Sequence, residues 1–98
     1  MVKHVVMFRL EGDAADVARA AADFKTGLEP LPTLIPELKS IEVAIDNSGI
    51  AGNWTVTLTA RCNNFEYLRT YAGHPAHLQC VAIIKPLMAA RACVDCEY

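Results

Sequence analysis

The sequence predicts an α+β protein in which four strands and two helical segments follow one another in the order βαββαβ. Residues 2–10 alternate between two faces, as a strand does, and are rich in β-branched residues. Residues 14–28 instead repeat their apolar positions at helical spacing, within an alanine-rich stretch. A turn-rich stretch, 47–53, separates two further alternating segments and predicts a hairpin. This order favours one four-stranded antiparallel sheet with helices on one face.

The first half of the chain contains the first strand, the first helix and the second strand. On the strand over 2–10, the more apolar face carries one histidine and consists of Val2, His4, Val6, Phe8 and Leu10. Asp13 is expected to cap the first helix, which ends near Glu29 because Pro30 cannot continue it. The second strand is predicted over 40–46.

The second half contains the other two strands and a helical segment that is broken once. The third strand is predicted over 54–60, and Asn63 or Asn64 then caps a helix. Gly73 and Pro75 predict a break in that segment, with a second helix from Pro75 to about residue 85. The last strand is predicted over 90–98, which completes the order of a ferredoxin-like fold.

Composition limits the classes of function. A chain of 98 residues is expected to form a single domain, residues 1–98. The net charge of −2, without any run of Lys or Arg, argues against a nucleic acid partner. No apolar run reaches the roughly 18 residues of a membrane span, and Arg9 interrupts the apolar N-terminus, so we expect no membrane partner and a cytoplasmic location.

The second face of the sheet carries too few charges for a surface in water. We place on it Val5, Met7, Ala44, Thr55, Thr57, Thr59 and Cys93. Helices cover one face only, and an exposed patch of this kind usually marks an interface. We therefore expect a homodimer in which two sheets pack face to face and close a barrel-like core. Trp54 and Phe8 then belong to the opposite, helix-facing side.

The four cysteines are expected to be free thiols in a cytoplasmic chain. Cys93 and Cys96 have the spacing of a metal or redox pair, but residues three apart on a strand face opposite sides. No second pair of this kind and no adjacent histidine accompanies them. We expect no metal and no cofactor.

The stretch Tyr71–His77, Tyr-Ala-Gly-His-Pro-Ala-His, concentrates the candidate chemistry of the chain. The predicted break would bring Tyr71, in the last turn of one helix, near His77, in the first turn of the next. A phenol and an imidazole at one corner form either an acid–base pair or ordinary packing residues. His4 likewise fits two interpretations, as a hydrogen-bonded core histidine or as a polar group that lines an apolar pocket.

Several stretches together resemble the stress-responsive A/B barrel domain, or Dabb, family over nearly the whole chain. They are residues 2–9, 35–44, 71–77 and 91–97, with the His-Pro-x-His corner as the most specific part. The resemblance implies a dimeric α+β barrel of ferredoxin-like subunits. One plant branch of the family consists of polyketide cyclases of the olivetolic acid cyclase type. Resemblance to that branch implies catalytic roles for Tyr71 and His77 and a pocket position for His4.

Three functions stay open on the sequence alone. The first is a cofactor-free cyclase or isomerase that acts on a small carbonyl or apolar compound, with His77 as base, Tyr71 as hydrogen-bond donor and His4 as an orienting group. Phe8, Trp54 and His74 are further candidates for contact with that ligand. The second is a dimer that binds a small ligand or protects against stress without turnover. The third, by fold analogy, is a monooxygenase-like or haem-binding barrel, with His74 as an axial ligand unless it caps a helix.

Overall fold

The computed structural model describes all residues, 1–98. Four strands and three helices make up the chain: β1 (Val2–Leu10), α1 (Ala14–Leu28), β2 (Leu38–Ile45), β3 (Val56–Cys62), α2 (Phe65–Gly73), α3 (Pro75–Ile84) and β4 (Met88–Glu97). Short 3-10 turns at Leu31–Thr33 and Lys85–Leu87 lead into β2 and β4. The predicted βαββαβ order is confirmed, with the second helical segment divided into α2 and α3.

The four strands form one antiparallel sheet in the order β2-β3-β1-β4. Strand β1 therefore lies inside the sheet, with Val2 opposite Cys62 of β3 and opposite Glu97 of β4. Strands β2 and β4 form the two edges. This is the ferredoxin-like arrangement that the element order predicted.

The hydrophobic core lies between the sheet and the helices. The sheet contributes alternate residues of its two inner strands: Val2, Val6, Phe8, Leu10, Val56, Leu58, Ala60 and Cys62. Phe24 of α1 packs edge-to-face on Phe8, with 5.4 Å between ring centroids. The predicted inward face of β1 is confirmed, and it places His4 on the helix side of the sheet.

Polar side chains cap the helices where the sequence predicted. The Asp13 carboxylate accepts hydrogen bonds from the backbone N–H groups of Ala15 and Asp16 at 3.1 and 3.4 Å. The Asn64 side chain accepts one from the N–H of Tyr67 at 2.8 Å, so Asn64 rather than Asn63 caps α2. These bonds satisfy N–H groups that have no partner within the helix.

Two sequence-based assignments of side chains to faces are wrong. Strand β3 begins at Val56 rather than Trp54, and Trp54 lies beside Met7 on the outer face, away from the helices. There the Arg9 guanidinium stands 5.7 Å from the centroid of its ring, a cation–π distance. Cys93 was placed on the outer face but pairs with Val6 and shares its helix side. Small residues alternate along β4, so hydrophobicity does not distinguish its two faces.

The outer face of the sheet leaves apolar side chains exposed, among them Met7 at 44% and Val94 at 65%. Next to Met7 and Trp54, a groove of about 650 Å³ runs to the loop between β2 and β3. No helix combines the length and the apolar character that crossing a membrane requires.

We expect Phe24→Ala to lower the free energy of unfolding by about 3–5 kcal/mol, because it leaves a cavity at a fully buried position in contact with Phe8. Phe65→Ala is the matched control, since Phe65 is also a helical phenylalanine but is 37% exposed. Urea denaturation measures both. Equal losses of unfolding free energy for the two variants would contradict the assignment of Phe24 to the core.

Candidate functional site

The break between α2 and α3 is formed by His74 and Pro75. His74 has extended backbone angles (φ −68°, ψ 136°), as expected for a residue before proline. Pro75 then occupies the first turn of α3, where it has no N–H to leave unpaired. Gly73 was predicted to contribute to the break, but it belongs to α2 and its φ is not positive, so it does not form a left-handed helix end. The proline, not the glycine, therefore ends α2.

His74 caps the second helix of the corner. Its Nδ1 accepts a hydrogen bond from the backbone N–H of Ala76 at 3.1 Å, so this nitrogen is unprotonated. Capping was one of the two roles that the sequence left open for His74, and the geometry confirms it. The ring is thereby held at the start of α3.

The corner brings the rings of Tyr71 and His77 into contact, as predicted. Their centroids are 4.5 Å apart, with an angle of 50° between the ring planes. Tyr71 is fully buried, whereas His77 is only partly buried. The hydroxyl oxygen of Tyr71 is buried and has no hydrogen-bond partner in the chain, and no other buried side-chain polar atom lacks one. Buried hydroxyls are usually paired, so this oxygen needs an explanation.

The hydrogen bonding of His77 defines the state of its ring. Its Nδ1 lies 2.9 Å from the carbonyl oxygen of Ala72. A carbonyl can only accept, so Nδ1 carries the proton and, in the neutral ring, Nε2 keeps its lone pair. Burial lowers the pKa of His77, against the opposing effect of the Ala72 carbonyl, and charges on His4, Arg91 and His74 lower it further. At neutral pH His77 is thus a neutral base.

Tyr71 is a hydrogen-bond donor, whereas His77 is a base. Burial raises the pKa of its phenol well above the ordinary value, and the thiols of Cys62 and Cys80 act in the same direction. The phenol therefore stays protonated at physiological pH and can donate a hydrogen bond. The corner combines a proton acceptor and a proton donor in one contact.

His4 approaches Tyr71 from the sheet. The two rings meet edge-on with centroids 6.3 Å apart, and His4 is only 9% exposed. Its Nδ1 makes a close hydrogen bond to the carboxylate of Asp95, which can only accept, so Nδ1 carries a proton. His4 is thus hydrogen-bonded, as the first of the two interpretations has it, and its ring also borders Tyr71.

Asp95 and Cys93 are neighbours of His4 that the sequence analysis did not identify. Antiparallel pairing sets Asp95 opposite His4 and Cys93 opposite Val6. The Cys93 thiol lies 3.5 Å from His4 Nδ1 and donates to Asp95 at 3.4 Å. Although partial burial acts to raise it, the hydrogen bond from His4 holds the pKa of Asp95 below its ordinary value. The spacing of Cys93 and Asp95 on one strand face was the available signal, but the register of β4 against β1 could not be known.

Three of the six candidate residues therefore come together: Tyr71, His77 and His4. Phe8 is a core residue whose aromatic partner is Phe24 rather than Tyr71 or His77. His74 is engaged in capping. Trp54 lies in the groove on the opposite face of the sheet, so it cannot contact a ligand held at Tyr71.

The fold defines a small ferredoxin-like α+β protein with a histidine–tyrosine corner on the helix side of its sheet. The family model of the Stress Responsive A/B Barrel Domain (Dabb) matches residues 2–98. The chain belongs to this family. A comparison with curated proteins finds no match.

Solved structures show the same fold. A dimeric protein of unknown function from Bacteroides fragilis is 33% identical with a TM-score of 0.91; the match covers 99% of this chain and 95% of that chain. A dimeric ferredoxin-like protein of unknown function from Thermobifida fusca is 30% identical with a TM-score of 0.80, covering 99% and 90%. A hydroxynitrile lyase from Passiflora edulis is 16% identical with a TM-score of 0.70, covering 97% and 90%, and shares the fold alone.

The lowered pKa of His77 predicts how stability changes with pH. Because the folded state holds this ring neutral, the unfolded chain binds more protons once the pH falls towards 6.5, the ordinary value. The contribution of His77 to stability is therefore present above pH 6.5 and is lost below it. We expect the free energy of unfolding to fall less between pH 7 and pH 5 for His77→Gln than for the wild type. Urea denaturation at each pH measures this difference. An NMR titration midpoint of His77 at or above 6.5 would contradict this account.

Proposed function

We propose that this protein is an acid–base enzyme that removes and returns a proton next to the carbonyl group of a small substrate. One observation supports this proposal above all: the buried Tyr71 hydroxyl has no partner in the chain, and the Tyr71 ring contacts that of a neutral histidine. A carbonyl oxygen is an acceptor that would satisfy this donor. The same position would bring the neighbouring carbon of the substrate towards His77.

The two residues would divide the chemistry between them. His77 accepts the proton from the carbon next to the carbonyl at Nε2, since Nδ1–H is bonded to Ala72. As the C–H bond breaks, its electron pair forms the enolate and negative charge collects on the carbonyl oxygen. The Tyr71 hydroxyl donates to that oxygen and stabilises the charge, as an oxyanion hole does.

The enolate has two simple outcomes. In a β,γ-unsaturated carbonyl compound the enolate is conjugated with the C=C bond, and return of the proton from His77 to the γ-carbon gives an isomer. Attack of the enolate carbon on a second carbonyl of the same molecule closes a ring, and His77 returns its proton to the new alkoxide. Both outcomes balance without any further reactant. Tyr71 belongs to the apolar core while His77 is only partly buried, so the corner suits a small and largely apolar carbonyl compound.

His4 would orient the substrate rather than exchange a proton. Its ring borders Tyr71 edge-on, and its hydrogen bond to Asp95 fixes the ring on the sheet. A ring anchored on β1 holds its position with little loss of entropy when a substrate binds.

We expect the protein to accelerate deuterium incorporation into the methyl group of acetophenone in D2O, followed by NMR. Tyr71→Phe should slow this exchange about 10²–10³-fold, because it removes the donor to the enolate oxygen. His77→Gln should slow it about 10²–10⁴-fold, because it removes the base.

Tyr67→Phe is the matched control for Tyr71→Phe, since Tyr67 lies on the same helix but is 37% exposed. Its exchange rate should equal that of the wild type. Binding of the ketone with exchange no faster than in buffer would contradict catalysis and favour a ligand-binding protein. Equal rates for the wild type and both corner variants would contradict the assigned roles.

We infer that two chains assemble through the outer face of the sheet. Met7 of β1 and Val94 of β4 are exposed on it, and they lie on two paired strands of the sheet. Solvent-exposed apolar residues that share one face are typical of an interface. Two such sheets in contact would enclose these side chains and would leave the Tyr71–His77 corner on the helix side of each chain.

The oligomeric state tests this assembly. We expect Val94→Glu, and more strongly Val94→Glu with Met7→Glu, to convert a dimer into a monomer, because each buries a charge in the interface. Leu78→Glu is the control, since Leu78 is 52% exposed but belongs to α3 in the helix layer. Light scattering at micromolar concentration gives the mass. A monomeric wild type, or a dimer that survives the double substitution, would contradict the proposed interface.

A further inference from the structure

We propose that His4, Cys93 and Asp95 form a binding site for one zinc-like divalent ion per chain. The three residues supply an imidazole nitrogen, a thiol sulfur and a carboxylate oxygen, and these ligand atoms all lie within 4.8 Å of one another. The fourth coordination position would be left to water or to another small ligand, as in zinc sites with three protein ligands.

The two distances from the Cys93 sulfur to the other ligand atoms fit a tetrahedral zinc ion. Zinc–sulfur bonds of about 2.3 Å and bonds to nitrogen or oxygen of about 2.1 Å place the sulfur about 3.5–3.6 Å from each of the other ligands. The Cys93 sulfur lies 3.5 Å from His4 Nδ1 and 3.4 Å from the Asp95 oxygen. His4 Nδ1 and the Asp95 oxygen are closer than this, as hydrogen-bonded atoms are. They must move apart to about 3.4 Å, the separation of two ligands that each lie about 2.1 Å from a tetrahedral ion. The Asp95 side chain is 38% exposed and is free to make this adjustment.

The identity of the donors selects the kind of ion. A thiolate favours zinc and other borderline or soft metals over magnesium and calcium, which prefer oxygen ligands. Binding would release the thiol proton of Cys93, and His4 would bind through Nδ1 as the tautomer that is protonated on Nε2. The thiolate and the carboxylate then balance the two positive charges of the ion, although the Arg91 guanidinium lies on the same face of β4.

The scaffold that carries the three donors is rigid. His4 and Asp95 are direct partners in the pairing of β1 with β4, and Cys93 precedes Asp95 by two residues on the same strand face. His4 is almost buried, whereas Cys93 and Asp95 lie on an exposed edge strand through which an ion can enter. Donors on paired strands hold their geometry better than donors on a loop.

This site differs from the metal pair that the spacing of the cysteines suggested. Cys93 pairs with Val6, and Cys96 pairs with Lys3, so the two cysteines face opposite sides of the sheet. Cys96 therefore cannot join the site, and the partner of Cys93 is a histidine 89 residues away. The proposal does not rest on the acid–base function, although the two share His4 and its hydrogen-bond partner Asp95.

The test is metal binding to reduced, metal-free protein. Calorimetric titration with Zn²⁺ should give one ion per chain. Titration with Co²⁺ should give the visible spectrum of a tetrahedral site together with a thiolate-to-cobalt charge-transfer band. Cys93→Ser and Asp95→Asn should each weaken Zn²⁺ binding by at least about 100-fold, since loss of even an outer-shell partner costs 10–100-fold. Cys93→Ser should also abolish the charge-transfer band.

Cys96→Ser is the matched control, because it removes the other exposed thiol of the same strand. It should keep both the affinity and the spectrum. His77→Gln should keep them too, which separates this site from the proposed catalytic corner. Circular dichroism verifies that each variant is folded, and Asp95→Asn provides a second test if Cys93→Ser does not fold. The absence of stoichiometric binding to the wild type, or equal binding by Cys93→Ser and Cys96→Ser, would overturn the proposal.

Discussion

The pairing of β1 with β3 along one side and with β4 along the other fixes the position of the remaining elements. Seven residues of β1 pair with β3, and nine pair with β4, with a register shift between Arg9 and Leu10. Because side chains alternate across a strand, this pairing sends His4 to the helix side together with the core residues Val6 and Phe8. It also brings Asp95 and Cys93 to His4 from the far end of the chain. A shift of the β4 register by one residue would turn both side chains to the other face.

The proline at the break between α2 and α3 fixes which side chains meet in the helix layer, as strand pairing fixes which side chains meet in the sheet. An unbroken helix would space Tyr71 and His77 by six residues, which is not a helical contact spacing. The extended His74 and the restart at Pro75 fold the second helix back, so that the His77 ring reaches both Tyr71 and the Ala72 carbonyl. One backbone constraint thus brings the two rings together and also selects the protonated nitrogen of His77.

Local sequence information was sufficient for most of the fold. The alternation over residues 2–10, the Asp13 cap and the His-Pro break each depend on residues close in the chain, and all three are found in the structure. Local sequence information was insufficient where a position depends on residues that are distant in the chain. Trp54 stands where the alternating pattern begins, but it precedes β3, and its ring lies beside Arg9 on the outer face. Asp95 meets His4 only through a strand register that joins residues 91 positions apart. The Tyr71–His77 contact was predictable because the two residues are close in the chain and the break that joins them, at His74 and Pro75, lies between them.

The unpaired hydroxyl of Tyr71 lowers the stability of the protein but supplies the hydrogen-bond donor of the proposed reaction. A buried polar group without a partner costs about 1–3 kcal/mol, and phenylalanine fills almost the same volume without that group. Selection for heat resistance alone would therefore favour Tyr71→Phe, and a library screened only for folding would enrich it. The proposed donor would be lost without any visible defect in the protein. A screen of this family for robust variants should hold residue 71 constant.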